Sequence, residues 1–600
     1  MKEQDVLELP RLPSRNILTT IACGAFFIAL LIYGHSLQND FVLWDDSLLI
    51  YQNPTVQGLT LHNIKRAFTT YDPELYIPLT LLSYQIDYTI GELSPFIYHF
   101  SNLLLHFLNV LLVTWTAYLL SRGKRWVAFA CGLLFLLHPL HTEAVAWASS
   151  RKDVLSTAFF FGSLIGYLYA YGRESKSLWI FSITLFAFGL MAKVNVIMLP
   201  IVLLLCDVLL GRSLSFRRVT DKLPYFFLAL LFGIIALYGK REIIEHMTAL
   251  SYLLMAGKST LFYLQKLFLP TGLSVLYPYL DPITIRSPDF WVPPLILIPL
   301  FLCAFAIFRW NRIIPFGTAF FLATLLPTFT NFAKGGTLYF ASDRYAYIPS
   351  FGIFFIVASG IAWLWDDSPL SRGKIIVGAC SVVLIILSFF TYRQSMTWRD
   401  TEALFNQTLS LYPRSHVAHN NIGKLYAQQG RLGEAMEKYR TSIDLLPSAE
   451  GFYNIGLIHT QQGNIDGAIT AYRKSIALKP SQPQPHLNLG GLYVKAGRTV
   501  EAMAEFRSAA AAEPSFAMPH YNLALLHEEQ GNLKEAFEEY KKTIERDPYY
   551  LDAYINMANI LIDQNYFTEA LFLLQKVLEM DPGNAQAKEL AREIAGMVRK

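Results

Sequence analysis

Ala449–Pro480 reads AEGFYNIGLIHTQQGNIDGAITAYRKSIALKP, and Pro483–Pro514 reads PQPHLNLGGLYVKAGRTVEAMAEFRSAAAAEP. The two stretches agree at their small and helix-breaking positions. Outward from them, proline recurs at Pro447, Pro480, Pro514, Pro548 and Pro582, in steps of 33 or 34 residues. Gly423, Gly456, Gly490, Ala524 and Ala558 keep that step, as do Ala435, Ala468, Ala502, Ala536 and Ala570. Small residues at a fixed period let paired helices approach and stack on the next pair. The spacing predicts an α-solenoid over 416–582 with a polar capping helix at 583–600.

That period is the tetratricopeptide repeat (TPR), here in five copies. Most of the chain before it has another character. Of 600 residues 53% are hydrophobic and only 16% charged, and the deficit of charge lies mostly before residue 392. A net charge of +4 with no basic stripe argues against nucleic acid as a partner. Cys23, Cys131, Cys206, Cys303 and Cys380 all sit in apolar runs without a CxxC partner, which excludes a disulfide framework or zinc ribbon. The first apolar run, Ile17 to Leu37, is too long for a signal segment and reads as an uncleaved helix.

Apolar runs occur at about 17–37, 97–121, 126–146, 153–171, 177–192, 194–210, 223–239, 289–308, 313–329, 346–365 and 374–391. They predict an all-α protein: a membrane domain of about eleven spans over 1–391, a linker and leading helix at 392–415, then the repeats. Lys2, Arg11 and Arg15, then Arg122, Lys124 and Arg125, then Arg173 and Lys176 flank alternate runs. Arg212, Arg217, Arg218 and Lys222, Arg309 and Arg312, and Arg372 and Lys374 continue the series. Excess positive charge marks the cytoplasmic side. The segment 248–269, with Lys258 and Lys266, then reads as interfacial or re-entrant. The first loop (38–96) and the repeats fall outside: periplasm of a bacterial inner membrane, or lumen of the eukaryotic ER.

The same parity gathers polar groups outside. Asp45 and Asp46 are adjacent, and their repulsion is expected to raise one pKa and favour proton transfer; a solvated loop acid is the plain alternative. His99, Asn102, His106 and Asn109 share one helix face, and His99 lies nearest the outer end. His138-Pro139-Leu140-His141-Thr142-Glu143 precedes Arg151, Lys152 and Asp153. The histidine spacing is not that of a zinc helix and Pro139 interrupts it, so no metal is expected there. Arg151 and Lys152 suit a phosphate. Asp343-Arg344-Tyr345 opens the tenth run, where an arginine can grip a lipid phosphate or pair with its neighbour. No nucleotide-binding loop is present.

Trp44-Asp45-Asp46 with Asn53-Pro54, His138-Pro139 with Thr142-Glu143-Ala144-Val145-Ala146-Trp147 and Arg151, and Asp343-Arg344-Tyr345 with Pro349-Ser350, all followed by TPRs, resemble the transmembrane-and-TPR O-mannosyltransferases. These are GT-C glycosyltransferases, and the chain is read as a bacterial member. The resemblance implies a polyprenyl-phosphate sugar donor, usually mannose, a Ser/Thr hydroxyl acceptor and an acidic catalytic pair in the first outer loop. Asp45 is then the base and Asp46 orients hydroxyls. Arg344, Arg151 and Lys193 are the phosphate ligands, with His99, His138, His141, Glu143 and Asp343 lining the site. Related chains often carry Lys-Glu where this one has Lys193-Val194, so the sugar stays open. The donor already carries an anionic leaving group, so no cofactor is required; a metal at the paired aspartates is an option, not a need. Direct attack by the acceptor inverts the anomeric centre.

Position six of every repeat is asparagine: Asn421, Asn454, Asn488, Asn522 and Asn556. In TPR geometry such a ladder faces the concave groove, where amides can hold the main chain of a protein acceptor. The alternative is that they bond neighbouring helices. The reading is thus a membrane glycosyltransferase that recruits proteins through its repeats. A lipid or polysaccharide acceptor, or a non-catalytic envelope scaffold, are the competing readings.

Overall fold

The computed structural model describes residues 10, 14–71, 75–212, 215–239, 248–279, 281–334, 337–366 and 369–597. Lys2 and Arg11 fall outside them, as do the side chains of Arg15, Arg217 and Arg372. The chain forms two compact units, Met1–Ser415 and His416–Lys600.

The first unit is helical. Among the described residues seven helices are long and apolar enough to cross a membrane: Leu18–Gln38, Pro95–Leu120, Ala148–Gly172, Arg218–Gly239, Pro288–Arg309, Ile313–Asn331 and Gly373–Met396. Arg125–Leu137 and Pro139–Ala146 make a pair bent by 57°, and Lys176–Ala192, Val194–Leu209 and Ser350–Asp366 are shorter apolar helices. The bend has a local cause. His138 is extended at the helix end and its Nδ1 accepts the Leu140 N–H at 3.3 Å, while Pro139 brings no N–H of its own. Lys193, also extended, separates Lys176–Ala192 from the next helix. Gly317 and Gly352 let two helices touch: a Cβ on either would meet the other's carbonyl oxygen at 2.3 Å.

Two segments take definite form here. Residues 392–415 carry the expected leading helix and belong to the first unit. The last apolar helix runs on to Met396, and Thr401–Leu411 packs into the first unit, where the Thr401 hydroxyl accepts the Leu43 N–H at 2.9 Å. The segment 248–269 holds a full helix, Ala249–Phe268, whose Lys258 pairs with Asp289 at 2.9 Å. A small antiparallel sheet lies nearby: Thr337–Tyr339 pairs with both Pro278–Tyr279 and Ala333–Lys334.

The second unit stacks five helix pairs, from His416–Gln428 with Leu432–Leu445 to Leu551–Asp563 with Phe567–Met580, and ends in Ala585–Met597. The recurring alanines, Ala435 through Ala570, are fully buried. A Cβ on Gly423, Gly456 or Gly490 would strike the ring of Tyr439, Tyr472 or Phe506 within 2.7 Å, which is why those positions stay small.

The asparagine ladder is bonded within the stack. Asn454 Nδ2 donates to Asn420 Oδ1 of the preceding repeat (3.0 Å), Asn488 to the Tyr453 hydroxyl (3.3 Å) and Asn556 to the Tyr521 and Tyr540 hydroxyls (3.4 and 3.0 Å). Asn421 donates to Val417 O of its own helix at 2.9 Å, and Asn522 is half-buried. These bonds supply the helix-bonding alternative and engage donors that a peptide clamp needs. Asn454→Ala is therefore expected to destabilise the isolated 416–600 unit by about 1–2 kcal/mol, since it also strands Asn420. Urea unfolding followed by circular dichroism measures this; an unchanged midpoint would leave the amides free to serve a ligand.

Candidate functional site

The first loop is held in place by Asp46. Its carboxylate accepts the Val42 N–H (2.9 Å), the Ser149 N–H (3.0 Å) and the Ser149 hydroxyl, and it is 1% exposed. Burial pushes its pKa up to about 6 against the pull of those three hydrogen bonds. The charge of Asp45 is the smallest contributor, so burial rather than repulsion between neighbours sets the shift. By fixing the loop to the 148–150 turn, Asp46 leaves Asp45 to face a cavity, 3.8 Å from Lys152 Nζ.

The cavity has a volume of about 200 Å³. Asp45, Lys152, Lys193, Asn195 and Arg344 give it a charged wall; Leu75, Ile77, Phe232, Ile235 and Phe340 are among its apolar residues. Two of the three cations, Lys193 and Arg344, are fixed from behind. Lys193 donates to Asp153 Oδ1, and Arg344 Nε lies 4.0 Å from Asp153 Oδ2. Glu143 accepts the Arg344 guanidinium, the Arg344 backbone N–H (3.0 Å) and the Ser342 hydroxyl (2.9 Å). Burial is the largest single influence on Arg344 and lowers its pKa, but Glu143, Tyr345, Asp153 and Asp45 together outweigh it and hold the group above its ordinary value. Lys193 is pulled down, chiefly by burial and partly offset by Asp153. The Trp147 ring lies under both Lys152 (5.8 Å) and Arg344 (5.0 Å). Lys152, Lys193 and Arg344 are thus set against Asp45, Asp153 and Glu143, with no surplus of either sign.

Such a wall can hold a phosphate by charge-assisted hydrogen bonds beside a partly exposed carboxylate able to take a proton. Among the described residues no three His, Cys, Asp or Glu converge as metal ligands. Asp45 and Asp46 in particular face different surroundings.

Several expected site residues lie elsewhere. Arg151 is 1% exposed and outside the cavity lining. It pairs with Asp87 at 2.7 Å and donates to Tyr98 O (2.9 Å), Asn102 Oδ1 and Ser83 Oγ (3.3 Å). Consecutive helix residues point about 100° apart, so a helix that turns Arg151 inward can present Lys152 to the cavity. His99, His138 and His141 do not line the cavity either. His138 Nε2 meets Leu267 O at 3.1 Å, and His141 bridges Phe135 O and Ser350 Oγ at 2.7 and 2.9 Å. Glu143 stands behind the wall. Asp343, 2% exposed, accepts the Tyr277 hydroxyl at 2.7 Å; burial, then Glu143, pushes its pKa up. Asp153 and Asn195 were not legible as site residues: an acid at a helix start and a lone asparagine carry no signal in sequence.

Fold and site together define a multi-pass helical membrane protein with a charged intramolecular cavity and a TPR unit. Tetratricopeptide-repeat family models match residues 397–450 and 487–550, 456–497 and 528–594. Human Protein O-mannosyl-transferase TMTC4 is 25% identical over 495 residues, 69% of this chain and 64% of its own. Protein O-mannosyl-transferase Tmtc1 of Drosophila melanogaster is 25% identical over 539 residues, 71% and 61% of the two chains. Protein O-mannosyl-transferase F38B6.6 of Caenorhabditis elegans is 23% identical over 468 residues, 73% and 63%. The chain thus spans less than two thirds of the length of these relatives. It is similar, over about 70% of its length, to proteins named protein O-mannosyl-transferases, and it carries TPR repeats. Among solved structures, YrrB, a TPR protein with an unusual peptide-binding site, is 18% identical over 31% of this chain and 97% of its own, with a TM-score of 0.27.

Proposed function

We propose that this protein is a membrane glycosyltransferase that moves a sugar, mannose by its relatives' names, from a polyprenyl-phosphate carrier to Ser/Thr hydroxyls of protein acceptors. The observation that carries the reading is the convergence of Lys152, Lys193 and Arg344 with Asp45 on one cavity that also has apolar walls. An isoprenoid chain suits the apolar side and its phosphate the cations. In the reaction, Asp45 takes the proton of the acceptor hydroxyl as its oxygen attacks the anomeric carbon. The bond from that carbon to the phosphate oxygen breaks, and its electron pair leaves with the lipid phosphate. General-base help of this kind contributes roughly 10²–10⁴-fold. Attack opposite the leaving group inverts the anomeric centre. The charge growing on the phosphate is met by cations already held in place by Asp153 and Glu143.

The acceptor class rests on the relatives' names, and the repeats recruit it. The bonded asparagines lend no support to a main-chain clamp, so recruitment falls to other TPR surface. Comparing the envelope and secreted proteome with and without this chain, by mass spectrometry for Ser/Thr hexose, tests the reading. Loss of protein-linked hexose supports it; an unchanged proteome with a depleted glycolipid or polysaccharide favours the other acceptors.

The proposed topology crosses the membrane eleven times, using the seven long helices, the bent pair and the three shorter ones. The N-terminus then lies in the cytoplasm and the repeats lie outside. A cysteine near Asp46 and one in the repeats should both react with an impermeant thiol reagent on intact cells, while one near Gly211 is protected. Opposite labelling of the loop and the repeats would add or remove one crossing, most simply at Ala249–Phe268.

Arg344→Ala is expected to raise KM for the lipid donor and lower kcat, because the phosphate charge grows as the bond breaks. Lysine at 344 restores part of the loss, lacking the planar fork that Glu143 and a phosphate both engage. A variant that loses only stability would assign Arg344 to the Glu143 pair alone.

A further inference from the structure

Far from the cavity, three arginines from separate elements meet at one turn. Pro95–Leu120 has 26 residues and is about 39 Å long, close to a bilayer's thickness. Its first half holds the Asn102 bonded to Arg151, and Arg122 follows its far end. Arg212 follows Leu199–Leu209, and Arg312 precedes Ile313–Leu325. Arg122 Nη2 donates to Leu210 O at 3.1 Å and Arg312 Nη1 to Val208 O at 3.4 Å. A Cβ placed on Gly211 would lie 3.0 Å from Arg312 Nη1 and 3.9 Å from Arg122 Nη2, so both guanidinium groups converge on one point. Gly211 is exposed, as are Arg122 and Arg312.

The charges at this turn are only partly compensated: Arg212 shares its one carboxylate with Lys222. Asp207 is the nearby buried acid, and it is saturated by Arg212 (3.0 Å), Lys222 (2.7 Å) and the Tyr167 hydroxyl (2.9 and 3.0 Å). Among the described residues Arg122 and Arg312 have no carboxylate partner. Arg212 Nη2 is buried without a hydrogen-bond partner, although its side chain is only 6% exposed. A guanidinium carries five N–H donors, and Arg122 and Arg312 each show one engaged. The backbone at Arg122 adds a separate sign. Its φ is +56°, in the left-handed region where a helix end ordinarily uses glycine. Strain kept at a non-glycine residue points to a use for its side chain.

We propose that Arg122, Arg212 and Arg312 form a binding site for the phosphate of an anionic phospholipid headgroup, at the membrane face opposite the cavity. Guanidinium groups suit a phosphate diester, and basic pockets between membrane helices bind such headgroups. The site does not depend on the proposed reaction. The turn it grips ends Leu199–Leu209, the helix next along the chain from Lys193, so an occupied site also steadies that part of the cavity unit.

The test uses the purified full chain in neutral detergent, with phosphatidylglycerol, phosphatidylcholine and inorganic phosphate as probes. Native mass spectrometry reads occupancy and a thermal melt reads stabilisation. Phosphatidylglycerol should remain bound and raise Tm, and phosphatidylcholine should do neither. Arg122→Gly with Arg312→Gln should weaken phosphatidylglycerol about tenfold or more, the scale of one lost charge-assisted bond. Arg122→Gly alone relieves the left-handed strain, so a weaker lipid interaction with unchanged or higher lipid-free Tm supports the site free of any folding defect. Wild-type lipid affinity in both variants overturns the proposal, as does equal retention of phosphatidylcholine. Stabilisation by inorganic phosphate equal to that by phosphatidylglycerol would overturn the lipid assignment and make the ligand a free phosphate.

Discussion

Asp45→Asn is expected to abolish sugar transfer while leaving the fold intact. The exchange keeps the side-chain volume and removes the ability to accept a proton together with the charge facing Lys152. The carboxylate is partly open, with a side-chain exposure of 26%, and sits 3.8 Å from Lys152. The expected loss is the full general-base contribution, roughly 10²–10⁴-fold in kcat, with donor affinity little changed. Steady-state transfer from a purified polyprenyl-phosphate sugar, alongside a thermal melt, is the measurement. Turnover within a few-fold of the unaltered protein would remove Asp45 from the chemistry and leave the cavity as a binding site only.

The neighbouring substitution behaves differently. Asp46 offers its two oxygens to three donors, two of them backbone N–H groups. An asparagine there can keep its oxygen toward Ser149 only by turning its NH₂ toward the Val42 N–H, losing that hydrogen bond and opposing a backbone dipole. Asp46→Asn therefore loosens the loop that carries Asp45, and its effect on transfer follows from position, not from proton chemistry. In sequence the two aspartates are indistinguishable. Only the turn at 148–150, supplied from about a hundred residues away, separates a buried staple from a cavity-facing acid.

The same limit governs what else was legible. The repeats came through whole because they rest on local spacing, and the apolar runs came through as helices, seven of membrane length among the described residues and the others shorter or bent. The break at His138-Pro139 was equally local, because proline removes a donor wherever it stands. Side-chain destination was not local. Arg151 and Lys152 are neighbours of one charge, and which of them faces the cavity depends on Asp87 in a helix 64 residues earlier. Glu143 and Arg344 were each visible as polar groups near the outer membrane face, but their pairing joins positions 201 residues apart. The asparagine ladder was visible as a pattern. Its partners, Asn420, Tyr453 and Tyr521, follow from the stacking of one repeat on the next.

The second large effect concerns Arg151, and it separates a structural cation from a ligand for phosphate. Its side chain is 2% exposed and that of Asp87 is 5% exposed. Asp87 is held in turn by the Ser101 hydroxyl at 2.8 Å, and the guanidinium lies 5.2 Å from the centre of the Tyr84 ring. Removing one member of such a pair leaves an uncompensated charge in a place water does not reach, at a cost of about 3–5 kcal/mol. Asp87→Ala is thus expected to be among the most damaging substitutions in the first unit, sharply reducing folded protein and its half-life in detergent. Arg151→Met alone should do comparable harm by stranding Asp87. Asp87→Leu with Arg151→Met replaces both charges with apolar groups of similar bulk, and should recover most of the stability, because a buried pair gains little over a well-packed apolar one. The double variant also decides function. If Arg151 serves only to tie Pro78–Gly91 to the helix that presents Lys152, the refolded pair of substitutions keeps the donor KM. Restored stability with a donor KM raised tenfold or more would return Arg151 to the phosphate site.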